Sequence, residues 1–306
     1  MSSDGVADVL RRHGIRPGRR LGQHFLLQPA LLRRIAAAAE IAPGDPVLEV
    51  GPGVGVLTRE LLRAGGRVTA VELDRALRPA LTEVLGGAPP QAPPPPAGPG
   101  GLPADRLGPG LTLLWGDATR LPWGALAAGD PGPWRVCSNL PFYLTGPFLA
   151  ALFEGGLPWS TAVLLVQAEV AARMRAEPGG RDYGAFTCLV GYHATVERLF
   201  SISRAAFTPP PDVDSVLVRL RRRPAPPVDV PRAALLRVVR AAFRQRRKTI
   251  RNALAGGLGA ERAAVQAALA AAEIAADRRP ETLSLAEYGR LVQALEPGAG
   301  DGAGRP

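Results

Sequence analysis

Three glycines, Gly51, Gly53 and Gly55, follow the short apolar run Pro46–Val50 and precede a segment with helical spacing of apolar residues. Glycine allows a tight turn and a close approach of the backbone to a ligand. Glu72 ends the next apolar run, where a carboxylate can accept both hydroxyls of a ribose. The combination predicts a crevice that binds a ligand with a ribose, such as a nucleotide-like cofactor. The alternative is a tight turn that binds nothing, and the position of Glu72 disfavours it.

Gly116, Asp117 and Ala118 follow a third apolar run over residues 111–115. The Asp117 carboxylate is a suitable acceptor for the amino group of an adenine ring. Parallel strands of a doubly wound sheet end at the same edge, where ligands bind. We therefore expect Asp117 and Ala118 to face the same crevice as the glycine loop.

The run Asn139-Leu140-Pro141-Phe142 follows a fourth predicted strand over residues 134–138. Such an element at this position is typical of methyltransferases that act on planar nitrogen. An exocyclic adenine amine is a poor nucleophile because its lone pair is delocalised into the ring. The Asn139 side-chain oxygen and a backbone carbonyl can hold its two hydrogens and aim the lone pair at a methylsulfonium. Pro141 sets the turn, and Phe142 offers a face for the target base.

These motifs lie on alternating strand and helix patterns, which predict an α/β fold with a Rossmann-like methyltransferase sheet. We expect a catalytic domain over residues 1–223, and a small all-helical RNA-binding domain over 224–296. Residues 86–110 are rich in Pro and Gly and are expected to form a flexible surface insertion. The run 214–220 could be an edge strand. Residues 297–306 are expected to be a disordered tail.

The composition favours a polyanionic partner, because the formal net charge is +10. All basic residues except Lys248 are arginines, so a GC-rich coding bias is an alternative cause. Cys137 and Cys188 lie in apolar runs and are expected to be reduced, packed thiols. We predict no metal site and no membrane segment, and a cytoplasmic protein.

Several motifs together resemble the ribosomal RNA adenine N6-dimethyltransferase family, and within it the bacterial small-subunit type. The resemblance spans nearly the whole chain. It rests on Leu21-Gly22-Gln23-His24-Phe25-Leu26, Glu49-Val50-Gly51-Pro52-Gly53-Val54-Gly55, Val71-Glu72-Leu73-Asp74, Gly116-Asp117-Ala118, Ser138-Asn139-Leu140-Pro141-Phe142, Ala206-Phe207-Thr208-Pro209-Pro210-Pro211, and residues 243–252.

The resemblance implies S-adenosylmethionine as cofactor and two adjacent adenines near the 3′ end of small-subunit rRNA as the target. The implied partner is small-subunit rRNA, within an immature small subunit, and the implied state is a monomer. By the same resemblance His24, Leu26, Gly51, Gly53, Glu72, Asp117, Ala118 and Asn139 would bind the cofactor. Asn139, Leu140, Pro141 and Phe142 would form the catalytic element, with Phe207 as a second aromatic surface near the base. The family usually has Asn in place of His24 and Tyr in place of Phe142.

A basic run follows Phe243 and includes Arg244, Arg246, Arg247, Lys248 and Arg251. On a helix these residues would spread over more than one face, with Phe243 and Ile250 packed inward. A solvated helix is one explanation. In this basic chain we favour contact with RNA phosphates.

Two other functions stay open at this stage. A relative that modifies large-subunit rRNA and confers macrolide resistance would share most of these motifs. A non-catalytic rRNA-binding assembly factor would share the charge but would not need a cofactor crevice. Methyl transfer to isolated subunits or to naked large-subunit rRNA separates the three.

Overall fold

A computed structural model describes residues 3–15, 23–86, 98–130, 132–245 and 247–296. Its contacts divide the chain into two compact units, the first comprising Met1–Ala171 and Glu197–Arg222, the second Ala172–Val196 and Arg223–Pro306. The sequence places residues 172–196 in the first domain, whereas the structure groups them with the C-terminal helices. The physical reason is that Cys188 and Tyr192 are buried in the same apolar cluster as those helices.

The first unit is built on an eight-stranded sheet with the order β4-β5-β3-β2-β6-β7-β10-β8. Its strands are β2 (Pro46–Val50), β3 (Arg67–Glu72), β4 (Ala104–Arg106), β5 (Leu111–Trp115), β6 (Trp134–Asn139), β7 (Trp159–Gln167), β8 (Ala194–Ile202) and β10 (Ser215–Arg222). The five central strands β5, β3, β2, β6 and β7 run parallel to one another. Strands β1 (Phe25–Leu26) and β9 (Phe207–Thr208) form a separate antiparallel pair.

The strands form where apolar residues run without interruption. All five residues of β2 are buried, as expected for a strand covered on both faces. Short connections lead from each parallel strand into a helix, so the loops after β2, β3, β5 and β6 meet at one edge of the sheet. This edge carries the motifs that the sequence singles out.

The first seven helices are α1 (Ser3–Arg12), α2 (Pro29–Ala38), α3 (Val56–Arg63), α4 (Arg78–Leu85), α5 (Trp123–Gly129), α6 (Thr145–Glu154) and α7 (Ala168–Arg175). The others are α8 (Ala185–His193), α9 (Arg232–Phe243), α10 (Ile250–Leu258), α11 (Arg262–Ala271) and α12 (Leu285–Leu295). Helix α12 begins with a capping box in which the Ser284 hydroxyl accepts from the Glu287 amide. Both cysteines are free and buried, as expected.

The prediction of a flexible surface insertion over residues 86–110 is wrong for its second part. Gly86 ends helix α4 in the left-handed conformation, and residues 87–97 lie outside the described residues. Residues 104–106, however, form strand β4, which pairs with β5 and extends the sheet by one strand. The Pro and Gly content hid this strand, because only three residues pair and one of them is the buried, charged Asp105.

The prediction of an edge strand over residues 214–220 is also wrong. Strand β10 lies between β7 and β8, and it pairs antiparallel with β7 through Ser215↔Gln167 to Arg221↔Thr161. Its first four residues are all buried, which fits an interior position. Strand β8 occupies the edge, and most of its side chains are partly or fully exposed.

The second unit buries an apolar cluster drawn from α8 to α12. The sequence pattern is compatible with a helix over the basic run, but the structure interrupts the run with a turn, because α9 ends at Phe243 and α10 begins at Ile250. The expected inward packing holds for Ile250, which is fully buried, while Phe243 is partly buried against the same cluster.

Candidate active site

A crevice of about 280 Å³ lies at the carboxyl ends of β2, β3, β5 and β6. Every residue that the sequence assigns to the cofactor or to the target base lines this one crevice: His24, Leu26, Gly51, Gly53, Glu72, Asp117, Ala118, Asn139, Leu140, Pro141, Phe142 and Phe207. They come from six separate stretches of the chain, and the topology of the sheet brings them together. Their individual roles remain predictions.

The glycine loop follows β2 directly. Gly51 and Gly53 have φ values of 66° and 58°, a region that side chains rarely adopt. A Cβ atom on Gly51 would lie 3.5 Å from the Pro141 ring, so a side chain there would fill the gap between the loop and the Asn139–Phe142 element. The backbone therefore forms a cradle that is wide enough for a ligand only because these residues are glycines.

Glu72 is nearly fully buried, with 7% of its surface exposed. Its Oε1 accepts hydrogen bonds from the Leu73 and Asp74 amides at 2.9 Å, and its Oε2 accepts one from the Gly53 amide at 3.2 Å. Burial raises the pKa of Glu72, and these amide donors oppose that rise. The carboxylate is thus held rigidly: Oε1 accepts two hydrogen bonds and Oε2 accepts one, so Oε2 keeps a lone pair for a hydroxyl donor.

Asp117 stands at the exposed rim, after β5. Its Oδ1 accepts from the amide and the hydroxyl of Thr119, both at 2.8 Å. Its Oδ2 is only in a loose ion pair, 3.9 Å from Arg120 Nε. Ala118 beside it is buried and forms part of the crevice wall. The second carboxylate oxygen is therefore available to an amino donor.

The Asn139 amide is oriented by the backbone of His24. Asn139 Nδ2 donates to the His24 carbonyl oxygen at 3.3 Å. A carbonyl can only accept, so the amide nitrogen must face it and Oδ1 is turned away as an acceptor. His24 is itself anchored, because its Nδ1 donates to the Pro209 carbonyl at 2.8 Å.

The two residues that depart from the usual family pattern lie against each other. The His24 and Phe142 rings stack with centroids 5.9 Å apart and planes inclined by 28°. The contact with Asn139 uses the backbone of His24, so it does not depend on the side-chain type there. Phe142 keeps an aromatic face at the crevice and remains partly exposed.

Ser138 links the glycine loop to the Asn139 element. Its buried hydroxyl accepts from the Val50 amide at 2.8 Å, one residue before the first loop glycine. Strands β2 and β6 pair through Val47↔Arg135 and Leu48↔Val136, and this side-chain bond continues the connection beyond those pairs. The two halves of the crevice are thus held at a set separation.

Phe207 lies both in the apolar core of the unit and in the wall of the crevice. It is 3% exposed and belongs to the apolar core of the unit, and it pairs with Leu26 between β9 and β1. It also lines the crevice. As placed, it contributes a wall and offers little open ring surface.

Two crevice residues were missed from sequence. Glu49, 1% exposed, lies in β2, and burial raises its pKa to about 8, with the nearby Glu72 charge adding to the rise. Its Oε2 has no hydrogen-bond partner among the described residues. A lone carboxylate inside an apolar strand was the available signal. Tyr143, which is 55% exposed, stands at the crevice mouth directly after Phe142.

The basic residues belong to the second unit. Arg244, Arg247, Lys248 and Arg251 are all exposed around the turn between α9 and α10, and Arg251 also bonds to Gln266. We call these four residues the basic turn. Arg246, the fifth residue predicted to contact RNA, lies outside the described residues.

Within the described part of the chain, no helix is long and apolar enough to cross a membrane. The same part contains no group of three or more His, Cys, Asp and Glu side chains that could hold a metal ion.

Comparison with known proteins adds independent findings. The family model described as ribosomal RNA adenine dimethylase matches residues 16–91 and 127–295. Proteins described as ribosomal RNA small subunit methyltransferase A are similar over nearly the full chain. The one from Pelotomaculum thermopropionicum is 42% identical over 295 residues, covering 95% of both chains. The one from Thermobifida fusca is 41% identical over 290 residues, covering 94% of both.

Two solved structures also resemble this chain. The 23S rRNA methyltransferase ErmE has a TM-score of 0.60 and 27% identity, and the match covers 89% of this chain and 99% of that one. A dimethyladenosine transferase from Plasmodium falciparum has a TM-score of 0.66 and 21% identity, covering 86% and 94%. The second match supports the fold alone.

Proposed function

The chain belongs to the ribosomal RNA adenine dimethylase family, and we propose that its crevice is the place where N6 of adenine in small-subunit rRNA is dimethylated. It is an S-adenosylmethionine-dependent rRNA methyltransferase. The observation that carries the proposal for the site is the orientation of Asn139, whose amide oxygen is left as an acceptor at the crevice.

The residues of the crevice fit the cofactor. Glu72 is held by three amides and is suited to the ribose hydroxyls, and the Asp117 rim carboxylate to the adenine amino group. Gly51 leaves a cradle that a Cβ would fill, and Gly53, Leu26, Ala118 and the His24 segment complete the walls. Bound S-adenosylmethionine supplies an electrophilic methyl group.

The target amine is held by Asn139 Oδ1 and the Leu140 carbonyl, which accept its two hydrogens. This draws the nitrogen out of conjugation with the ring and gives its lone pair a direction. Pro141 maintains the turn, Phe142 stacks on the base, and Phe207 closes the wall behind it. The amine loses its proton only after alkylation, when the nitrogen is cationic and acidic, so no general base is needed before attack. A second transfer gives N6,N6-dimethyladenine.

The basic turn is proposed to contact the rRNA backbone. Its four exposed side chains can neutralise phosphates without reading sequence, and Arg246 is expected to add a fifth charge. The relatives named for the small subunit support small-subunit rRNA as the substrate. Within it, the proposed target is the pair of adjacent adenines near the 3′ end, in an immature subunit. The monomeric state and cytoplasmic location expected from the sequence stay predictions.

The test is transfer of labelled methyl from S-adenosylmethionine to small subunits that lack the modification, with naked large-subunit rRNA in parallel. We expect N6,N6-dimethyladenosine in the small-subunit digest and no label after Asn139→Ala. Label only in the large-subunit RNA would instead assign the chain to the type that ErmE represents. RNA binding with no label in either sample would leave a non-catalytic assembly factor.

A further inference from the structure

One buried carboxylate connects the two loops that carry Glu72 and Asp117. Asp105 in strand β4 is 7% exposed. Its Oδ2 accepts from Arg78 Nε at 2.8 Å and from Trp115 Nε1 at 2.7 Å, and its Oδ1 accepts from Arg78 Nη2 at 2.6 Å. Both oxygens are therefore engaged, in a bidentate ion pair with Arg78 and an additional hydrogen bond from the neutral indole of Trp115.

Arg78 belongs to the segment that follows Glu72. Asp74 caps a short 3₁₀ helix over Arg75–Leu77, and α4 begins at Arg78 immediately afterwards. Leu77, beside Arg78, is buried and lines the crevice. A fixed Arg78 side chain therefore restrains the stretch whose first residues hold the Glu72 carboxylate through their amides.

Trp115 belongs to the segment that leads to Asp117. It is 4% exposed, and its amide donates to the Pro103 carbonyl at 2.9 Å, so the indole and the backbone are both tied to the strand that carries Asp105. The next residue, Gly116, donates its amide to the Glu72 carbonyl at 2.9 Å. A Cβ on Gly116 would lie 3.3 Å from Leu102 Cδ2, so the same insertion also packs against the turn before Asp117.

We propose that Asp105 is a positioning residue for the adenine end of the cofactor site: it ties the loop of Glu72 to the loop of Asp117 through Arg78 and Trp115. The inference rests on the proposed function, since it uses Asp117 as the acceptor for the adenine amino group. Asp105 itself does not line the crevice. Its effect on the cofactor is therefore transmitted through the two loops.

The geometry explains why an otherwise Pro- and Gly-rich insertion contains a buried acid. The family model matches residues 16–91 and 127–295, and Asp105 lies in the stretch between the two matched segments. Asp117 sits on the exposed rim and has only the Thr119 contacts and a loose ion pair of its own. The contacts of Asp105 hold the Asp117 loop rigidly and so compensate for that exposure. Such rigidity matters because a misplacement of about 1 Å can lower the reaction rate about 100-fold in such sites.

The experiment measures selectivity for the adenine amino group. Dissociation constants are determined calorimetrically for S-adenosylhomocysteine and for its purine analogue that lacks the 6-amino group. The wild type should prefer the amino compound by at least about 10-fold, because an acceptor that loses its donor is left unpaired. Asp105→Asn should reduce this preference to about threefold or less and raise the KM for S-adenosylmethionine, with kcat at saturation largely retained.

If Asp105 only stabilised the fold, Asp105→Asn would lower the amount of folded protein. The ratio of the two affinities would then stay unchanged, because both are measured on the same folded protein. Asp45→Asn is the matched control: it removes an ion pair with Arg135, 3.1 Å from Asp45 Oδ2, at the opposite ends of the strands. That variant should keep the full preference. Trp115→Phe, which removes only the Nε1 donor and keeps an aromatic ring, should lower the preference by about threefold.

The outcomes separate the two proposals. A wild type without preference for the amino compound would overturn the role of Asp117 in the proposed function. A wild-type preference that persists in both Asp105→Asn and Trp115→Phe would overturn the positioning role and leave the proposed function intact. If Asp105→Asn does not fold, Trp115→Phe alone is decisive: a wild-type preference for the amino compound in that variant would overturn the positioning role.

Discussion

The crevice of the first unit and the basic turn of the second unit are built on opposite physical principles. In the crevice Glu72 is held by three amides and Asn139 by one carbonyl, and Ser138, next to Asn139, is held by the Val50 amide. The basic turn consists of exposed cations. Within the described part of the chain, only Arg251 among them has a side-chain hydrogen bond, to Gln266 at 3.3 Å.

The difference follows from what each region is proposed to recognise. A reacting amine has to be held within fractions of an ångström, so its acceptors must be buried and preorganised. A phosphate backbone offers many equivalent charges, and long flexible side chains can reach them in several ways. Single substitutions should therefore be severe in the crevice and mild in the basic turn, and the predictions below test that contrast.

The largest effect is expected for Asn139→Ala. Loss of the oriented acceptor should lower the single-turnover rate of methyl transfer between about 100- and 1000-fold, with the affinity for RNA unchanged within about twofold. The measurement uses saturating RNA and cofactor. Asn252→Ala, in helix α10, is the matched control and should react at nearly the wild-type rate. Equal rates for the two variants would remove Asn139 from the mechanism.

The next effect concerns Glu49. Its folded-state pKa, raised by burial to about 8, lies above the ordinary value of 4.5, so the folded protein holds this proton more tightly than the unfolded chain. Stability is therefore fully present below pH 4.5 and is lost as the pH rises towards 8, by up to about 1.4 kcal/mol per pH unit. Glu49→Gln should flatten this dependence in urea unfolding at pH 5.5, 6.5 and 7.5.

The exposed Glu177→Gln variant controls for the loss of one acidic side chain. If Glu49→Gln keeps the same slope of unfolding free energy against pH as the wild type, the carboxyl group of Glu49 is already ionised in the folded protein, and the description of this part of the crevice is incorrect.

A smaller effect is expected when three residues of the basic turn are removed together. Arg244, Arg247 and Lys248 replaced by Ala should weaken RNA binding by about 10- to 100-fold and lower the slope of log affinity against log salt by about two. The matched control replaces Arg11, Arg33 and Arg63, three exposed arginines of the first unit, and removes the same charge. An identical loss in both triple variants would mean that net charge alone attracts the RNA.

The smallest effect is expected for Lys248→Ala alone. One phosphate contact among several should change RNA affinity by about two- to threefold, with kcat at saturating RNA unchanged. A single-residue loss as large as that of the triple variant would show that this lysine reads a defined site, and the contrast with the crevice would disappear.

Local sequence predicted the crevice well because its residues follow strands. An apolar run followed by a polar or glycine turn marks both the strand and its carboxyl end, so Gly51, Glu72, Asp117 and Asn139 could be assigned to one edge. The same reasoning failed for β4, whose three residues carry no apolar run. It also failed for the basic run, where a turn separates α9 from α10 within a helical composition.

The sequence alone determined the family, the order of strands and helices around the motifs, and the residue types available for the chemistry. Tertiary structure decided what depends on distant parts of the chain. The His24 carbonyl orients Asn139, burial alters the pKa of Glu49, and Asp105 bridges Arg78 and Trp115. Hydrogen-bond direction and desolvation depend on which groups meet in space, and periodicity along the chain does not contain that information.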